Sequence, residues 1–224
     1  MDDIKLNTSS EDIKSRYLPN MGIIEGKLSD EIIKNLWQEI EEAKRKPEST
    51  KSTLAGNITE SLILNSSSEN LSRFTQKILP KYVDLYVKSF EGALVKFISP
   101  RKKGYEFILD KLWVNFQTKH EFNPIHDHKG ALSFVIWMKI PTSHKEQKEI
   151  SFVKGSNAQH FVSNFCFVYT DIIGNIKTLG YGMEQSIEGT MVMFPSRLNH
   201  QVYPFFKSED ERVSISGNIG LEPI

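Results

Sequence analysis

Three histidines have the residue type and the spacing to bind one metal ion. His126 and His128 lie two positions apart, directly before an apolar run that is typical of a β-strand, and His200 follows another such run far downstream. Side chains alternate faces along extended structure, so both neighbouring imidazoles can reach one ion while Asp127 points away. Two close ligands and a distant one predict a metal held across a β-fold, with coordination positions left open for chemistry.

A second candidate site residue is an arginine in the next apolar run. Arg212 and Ser214 follow His200 and share one face of a predicted strand. A buried guanidinium is costly unless it binds an anion or pairs with a buried acid. Its planar fork matches a carboxylate, and a serine hydroxyl supplies an additional donor. We therefore expect these two residues to bind the carboxylate of a small molecule. The alternative is a surface salt bridge to one of the acidic neighbours Glu209, Asp210 and Glu211.

The elements that position these residues change in character along the chain. Helical spacing of apolar residues follows the N-cap Ser29, and a second amphipathic region spans residues 71–90, where Pro80 is expected to kink or divide it. From residue 105 the period changes to two. Strands rich in β-branched and aromatic residues are predicted at residues 107–118, 131–140, 150–154, 161–169, 187–194 and 212–219. Turns are expected between them, including one at residues 180–182.

Helices followed by many short strands predict an α+β, mainly β fold, a double-sheet jelly roll or small barrel with the N-terminal helices packed on one sheet. We expect a single domain over residues 1–224, with a helical preface at 1–100 and the catalytic core at 101–224. In the first strand Trp113, Asn115 and Gln117 alternate with apolar residues, so one face can carry polar side chains. Either that face meets a ligand or it meets solvent at an edge. Trp137 is expected in the core.

Composition limits the classes of function. The chain carries 28 basic and 28 acidic residues, which leaves no broad positive field for nucleic acid; the cluster at residues 101–103 is typical of a solvated turn. The single cysteine, Cys166, lies in an apolar run and is expected to be a buried thiol. No apolar stretch approaches the length of a membrane helix, and the polar start does not resemble a signal peptide. A cytoplasmic protein is expected, in the host cytoplasm if it is viral.

The ordered set of motifs resembles the iron(II)/2-oxoglutarate-dependent oxygenases. The set consists of His126-x-His128, the element from Phe194 to His200, and Arg212-x-Ser214. The resemblance covers residues 54–218, and its nearest branch is the oxygenases of tailed phages and some bacteria that are related to prolyl hydroxylases. It implies a double-stranded β-helix with preceding helices. It also implies Fe(II) and 2-oxoglutarate as cofactors, and decarboxylation of 2-oxoglutarate to succinate and CO2 coupled to hydroxylation of a C–H bond.

Carried over by position, the resemblance assigns His126 and His200 to iron. It assigns Arg212, assisted by Ser214, to the C5 carboxylate of 2-oxoglutarate. The strand before the histidines supplies further 2-oxoglutarate contacts in related oxygenases, which makes Asn115 and Gln117 candidates. Asn218 is similar to the asparagine that closes the family's final strand, and we expect it to be structural or to support the residues that bind the ligands.

One position departs from the family pattern. The usual motif has an acid two residues after the first histidine, where this chain has His128. We expect three histidine ligands, with Asp127 as the alternative if the strand bulges and reverses its faces.

Two other functions remain open at this point. The first is a catalytically altered or inactive metal-binding jelly-roll module, which could be virion-associated, and the second is a three-histidine dioxygenase that acts without 2-oxoglutarate. The primary substrate is open, with a protein residue such as proline among the candidates.

Overall fold

The computed structural model describes residues 21–94 and 105–223. The basic cluster at residues 101–103 and the expected preface boundary at residue 100 lie outside the described residues. The strands are β1 Ile24–Lys27, β2 Glu60–Ile63, β3 Tyr105–Gln117, β4 Asn123–His126, β5 Leu132–Lys139, β6 Asn164–Thr170, β7 Ile176–Gly182, β8 Thr190–Pro195, β9 His200–Val202 and β10 Arg212–Pro223. The α-helices are α1 Asp30–Arg45, α2 Glu69–Arg73, α3 Leu79–Leu94 and α4 His144–Lys148.

The described strands form two antiparallel sheets. The larger has six strands in the order β1-β8-β5-β10-β3-β2, and the smaller has four in the order β4-β9-β6-β7. Most strand neighbours are distant in sequence, as expected for a double-stranded β-helix. The predicted mainly β jelly roll with N-terminal helices is confirmed.

Strand alternation divides the core between two layers. In β5, Phe134 and Ile136 pack with the helices on one face of the larger sheet, while Val135 and Trp137 pack between the two sheets. Trp137 is thus a core residue, as predicted. A strand buried on both faces has little need of polar residues, which explains the nearly continuous apolar run in this part of the sequence.

The helices begin and break where the sequence indicates. The Ser29 hydroxyl accepts a hydrogen bond from the N–H of Ile32 at 3.5 Å and caps α1. The second amphipathic region is divided into α2 and α3 by a π-helical turn, Phe74–Ile78. Pro80 follows in the first turn of α3. Because proline has no N–H and crowds the preceding turn, a local change of helix type at this point is expected.

Three expectations about strands differ from the structure. Residues 150–154 form turns, because Ile150 and Val153 are both buried at a spacing of three. Residues 180–182 belong to β7, where a side chain at Gly180 or Gly182 would lie under 3 Å from its neighbours. The expected helical preface also contributes β1 and β2 to the larger sheet. Four-residue strands carry too little periodicity to recognise, and they form where the edges of β8 and β3 accept a partner.

The remaining fold observations concern burial and length. Cys166 is fully buried, as predicted, and burial raises the pKa of its thiol. In the described part of the chain, no helix combines the length and the apolar character needed to cross a membrane.

Candidate functional site

The three predicted imidazoles converge in the structure. Their ring centroids are 5.1 Å apart for His126 and His128, 4.2 Å for His126 and His200, and 4.9 Å for His128 and His200. Their ligand atoms all lie within 4.8 Å of one another. One ion with metal–nitrogen bonds of about 2 Å could therefore contact all three after small side-chain movements.

Two short strands of the smaller sheet and the loop after them position the imidazoles. His126 ends β4 and is paired in register with His200, the first residue of β9. His128 lies beyond the strand, where its backbone N–H donates to the carbonyl of Ser196 at 2.8 Å. Because β4 ends at His126, the alternation of side chains along a strand does not explain the position of His128. The backbone bond to Ser196 holds the second imidazole in place.

Backbone carbonyls select the tautomer of two histidines. The Nδ1–H of His126 donates to the carbonyl of Pro124 at 2.7 Å, and the Nδ1–H of His200 donates to the carbonyl of Leu198 at 2.9 Å. In each neutral ring the proton is then on Nδ1, so Nε2 carries a free lone pair, and the hydrogen bond fixes the direction in which that lone pair points. Metal-binding histidines commonly have this arrangement, since the hydrogen bond fixes the ring and raises the basicity of the ligand nitrogen.

Burial keeps the three imidazoles neutral. Burial, together with a smaller repulsion by His126, lowers the pKa of His200 to about 3 and that of His128 to about 4. Burial also lowers the pKa of His126, against the opposing effect of its bond to Pro124. Neutral imidazoles have free lone pairs at physiological pH, as a metal requires.

These pKa values predict an acid-sensitive metal-free protein. Below a pH of about 6.5 the unfolded chain binds protons at these histidines, whereas the folded chain binds them at His128 and His200 only near pH 4 and pH 3. The free energy of unfolding should therefore fall as the pH drops from 7 to 4, by at most about 1.4 kcal/mol per pH unit for each imidazole. Chemical denaturation of metal-free protein across this range measures the slope.

A variant comparison isolates the imidazoles from the carboxylates that titrate in the same range. His128→Asn should make the slope shallower, whereas replacement of the exposed His160 by asparagine should preserve it. Equal slopes in the wild type and His128→Asn would contradict this account.

Asp127, the alternative ligand, lies outside the cluster. Its exposed carboxylate accepts a hydrogen bond from Arg197 Nη1 at 3.3 Å. Position 128, not 127, therefore presents its side chain to the other two histidines. Among the remaining histidines, His120 and His160 are exposed, whereas His144 is half-buried against Gly182.

Arg212 is a buried cation without an acidic partner in the described chain. It is 3% exposed, and its guanidinium lies 4.9 Å from the ring centre of Phe205. The predicted alternative of a surface salt bridge is wrong, because Arg212 is buried and its hydrogen bonds in the described chain go to Gln117, Tyr203 and Ser163. Burial lowers the pKa of Arg212 to about 9, so the side chain remains charged at pH 7.

The hydrogen bonds of Arg212 leave part of its fork free. Nη1 donates to Gln117 Oε1 at 3.3 Å and to the Tyr203 carbonyl at 3.4 Å, and Nη2 donates to Ser163 Oγ at 2.6 Å. A guanidinium has five N–H donors. Among the described residues, the second N–H of Nη2 has no acceptor, and the N–H of the buried Nε has no acceptor either. Nε and Nη2 are adjacent nitrogens of the guanidinium, and a carboxylate can accept from both of them.

The other predicted contacts come from the adjacent strand. Asn115 pairs in register with Ser214, and Gln117 pairs with Arg212. Asn115 is 7% and Gln117 is 3% exposed, so their face of β3 does not meet solvent at an edge. The seven predicted site residues all line one cavity: Asn115, Gln117, His126, His128, His200, Arg212 and Ser214.

Sequence reasoning missed several residues around this cavity. Residues 54–56 and Ile58 line one wall, and the N–H of Asn57 between them donates to the Phe122 carbonyl at 2.9 Å. Ser61 donates to Asn115 Oδ1 at 2.8 Å, and Ser163 supports Arg212. Asn218 is structural, as predicted, because it accepts a hydrogen bond from Ser133. No local sequence signal marks residues 54–58 or Ser163, since tertiary pairing brings them to the cavity.

Comparison with known proteins identifies the class. A family model described as "Putative 2OG-Fe(II) oxygenase" matches residues 111–218, which include all seven predicted site residues. Over these residues, which are just under half of its length, this chain matches the 2OG-Fe(II) oxygenases. It is an enzyme whose cofactors are Fe(II) and 2-oxoglutarate, with O2 as co-substrate. No curated protein matches the chain by sequence.

Solved structures support the same fold. A prolyl-4-hydroxylase from Pseudomonas putida has a TM-score of 0.52 at 13% identity, over 89% of this chain and 92% of that chain. The non-heme α-ketoglutarate-dependent epimerase SnoN from nogalamycin biosynthesis has a TM-score of 0.55 at 11% identity, over 91% of this chain and 78% of that chain. Another structure of that epimerase contains Fe3+, α-ketoglutarate and nogalamycin RO. At these identities the likeness concerns the fold.

Proposed function

We propose that this enzyme couples decarboxylation of 2-oxoglutarate to hydroxylation of a C–H bond, with His126, His128 and His200 as its iron ligands. Arg212 and Ser214 would bind the C5 carboxylate of 2-oxoglutarate, and Asn115 and Gln117 would complete its site. The observation that carries the proposal is a single cavity lined by three neutral imidazoles and by a buried arginine that has no acidic partner among the described residues.

The residues present fit both groups. Two imidazoles have Nε2 available because Nδ1 is bonded to backbone carbonyls, and imidazole nitrogen suits Fe(II). Arg212 is a cation with unassigned donors, and a dicarboxylate would compensate its charge. Bound iron would supply the oxygen chemistry. The chain's own residues hold the ligand nitrogens unprotonated, orient the co-substrate through the guanidinium, and exclude water with the aromatic rings between the sheets.

Three histidines distinguish this site from the usual pattern of two histidines and an acid. Without a carboxylate ligand, the protein contributes no negative charge to the iron. The positive charge on the metal is then balanced only by the co-substrate. We expect iron binding to depend more strongly on 2-oxoglutarate than it would with an acid at position 128.

Turnover with purified protein tests the proposal. We expect succinate and CO2 to form only when Fe(II), 2-oxoglutarate and O2 are all present. Anaerobic titration of the iron-loaded protein with 2-oxoglutarate should produce a metal-to-ligand absorption band, which is a readout independent of turnover.

Two results would contradict the proposal and favour a specific alternative. Tight iron binding without 2-oxoglutarate consumption would favour the inactive metal-binding module. Oxygen consumption with a thiol substrate and no requirement for 2-oxoglutarate would favour the three-histidine dioxygenase.

A proline-containing peptide is the first primary substrate to test, because one structurally similar protein is a prolyl-4-hydroxylase. Mass spectrometry would detect the added oxygen atom.

A further inference from the structure

Ser163 has an unusual backbone conformation beside the proposed co-substrate site. It is fully buried, immediately precedes β6, and has a φ of 49°. Residues other than glycine rarely adopt positive φ, although short polar side chains tolerate it best. A conformation of this kind persists only where the surrounding structure holds it.

Backbone hydrogen bonds on both sides hold Ser163 in this conformation. Its N–H donates to the carbonyl of Pro204 at 3.0 Å, and its carbonyl accepts from the N–H of Met183 at 3.0 Å. The segment before β6 is thereby tied to the chain after β9 and to the chain after β7. The position of the Ser163 side chain is therefore set by three separate parts of the smaller sheet.

The side chain held in this way contacts the guanidinium of Arg212. Ser163 Oγ accepts from Arg212 Nη2 at 2.6 Å, whereas the bonds from Nη1 to Gln117 and to the Tyr203 carbonyl measure 3.3 and 3.4 Å. The Ser163 bond is therefore the shortest that Arg212 makes in the described chain. The guanidinium carbon lies over the Phe205 ring at 4.9 Å, and the bond to Ser163 fixes the end of the fork at Nη2.

The chemistry of a hydroxyl matters here as well as its position. All three acceptors around Arg212 are neutral: an amide, a backbone carbonyl and a hydroxyl. They orient the guanidinium without neutralising it, so its full charge is available to a bound carboxylate. A carboxylate at position 163 would instead pair with Arg212 directly.

We propose that Ser163 is a positioning residue for the co-substrate. It would hold the Arg212 fork at the angle that determines the affinity for 2-oxoglutarate and the selection of 2-oxoacid length. This inference rests on the proposed function of Arg212 and extends it to a residue outside the recognised motifs.

Two substitutions at position 163 separate the hydroxyl from the backbone. Ser163→Gly removes the hydroxyl that accepts from Arg212 and is compatible with positive φ. It should weaken 2-oxoglutarate binding about tenfold, because hydrogen bonds to charged groups are among the stronger ones. The ratio of the affinity for 2-oxoglutarate to the affinity for 2-oxoadipate, which is one methylene longer, should also fall. Ser163→Asp, also compatible with this backbone, should weaken binding further by neutralising Arg212. Iron affinity and kcat at saturating 2-oxoglutarate should stay near wild type in Ser163→Gly.

The control removes a buried serine hydroxyl elsewhere in the fold. Ser133 on β5 is 1% exposed and bonds to Asn218 on β10 and to Ser196, which follows β8. Ser133→Ala should lower the melting temperature without changing the affinity ratio of 2-oxoglutarate to 2-oxoadipate. If Ser163 had only a structural role, Ser163→Gly would likewise lower the melting temperature and leave this affinity ratio unchanged. The affinity ratio therefore distinguishes a positioning role from a structural one.

Two outcomes would overturn the inference, and they are distinguishable. If Arg212→Ala loses 2-oxoglutarate binding while both Ser163 variants keep wild-type affinity and selectivity, Ser163 does not position the arginine. If Arg212→Ala binds 2-oxoglutarate as the wild type does, the proposed function of Arg212 fails, and the inference fails with it. Should Ser163→Asp not fold, Ser163→Gly alone decides between these outcomes.

Discussion

Replacing His200 with alanine should lower succinate formation at least about 100-fold, because loss of a metal ligand should cost more than loss of a residue that only orients one. His200 is 4% exposed and contributes the distant member of the imidazole cluster. The neighbouring pair, His126 and His128, would remain, but two nitrogens hold an octahedral metal poorly. Succinate yield and iron content per protein chain, measured on the same preparation, test the expectation.

Two further variants guard this experiment against misfolding. His200 packs among Phe165, Phe167 and Phe194, so alanine leaves space in an aromatic cluster. His200→Gln fills more of that space and should also lose turnover. Asp127→Asn is the matched control, because the Asp127 carboxylate faces Arg197 at the surface and should not affect iron. Steady turnover by both His200 variants would remove this residue from the metal site.

Replacing Arg212 with alanine should weaken 2-oxoglutarate binding by about 2–5 kcal/mol, the usual effect of removing one partner of a buried charge pair. That range corresponds to a loss of affinity of roughly 30-fold to several thousandfold. The effect should appear in the KM for 2-oxoglutarate and in the absorption titration. Iron binding without co-substrate should change little, since Arg212 is not a candidate metal ligand.

The control for Arg212 separates a specific site from general electrostatics. Lys139→Ala removes an equal charge from a half-exposed position, where the lysine pairs with Asp210 at 3.6 Å. Exposed pairs contribute little, so this variant should bind 2-oxoglutarate like the wild type. Arg212→Lys keeps the charge but loses the fork, and an intermediate affinity is expected. If Arg212→Ala and Lys139→Ala had equal effects, the carboxylate would bind elsewhere.

Local chemistry in the sequence was sufficient to find the candidate site. The spacing of the histidines at positions 126, 128 and 200 fits a metal site, and an arginine on an apolar strand at 212 is costly without an anion, so residue type and spacing pointed to them. Alternation along residues 112–117 likewise identified which face of β3 is polar. These inferences need only the chain's own periodicity, and the structure brings every one of these side chains to the same cavity.

Other features depend on contacts between segments far apart in the chain. β1 and β2 are strands because β8 and β3 accept them, and β7 contains Gly180 because the Asn164 side chain lies against it. His128 is held by a backbone bond to Ser196, and Ser163 supports Arg212 from across the molecule. The amino-acid order thus specified which groups could do the chemistry, since that depends on residue type and local period. Long-range backbone pairing set the distances between these groups and their supporting partners. Which strands pair cannot be recognised from the sequence of either strand alone, so these features depended on the tertiary structure.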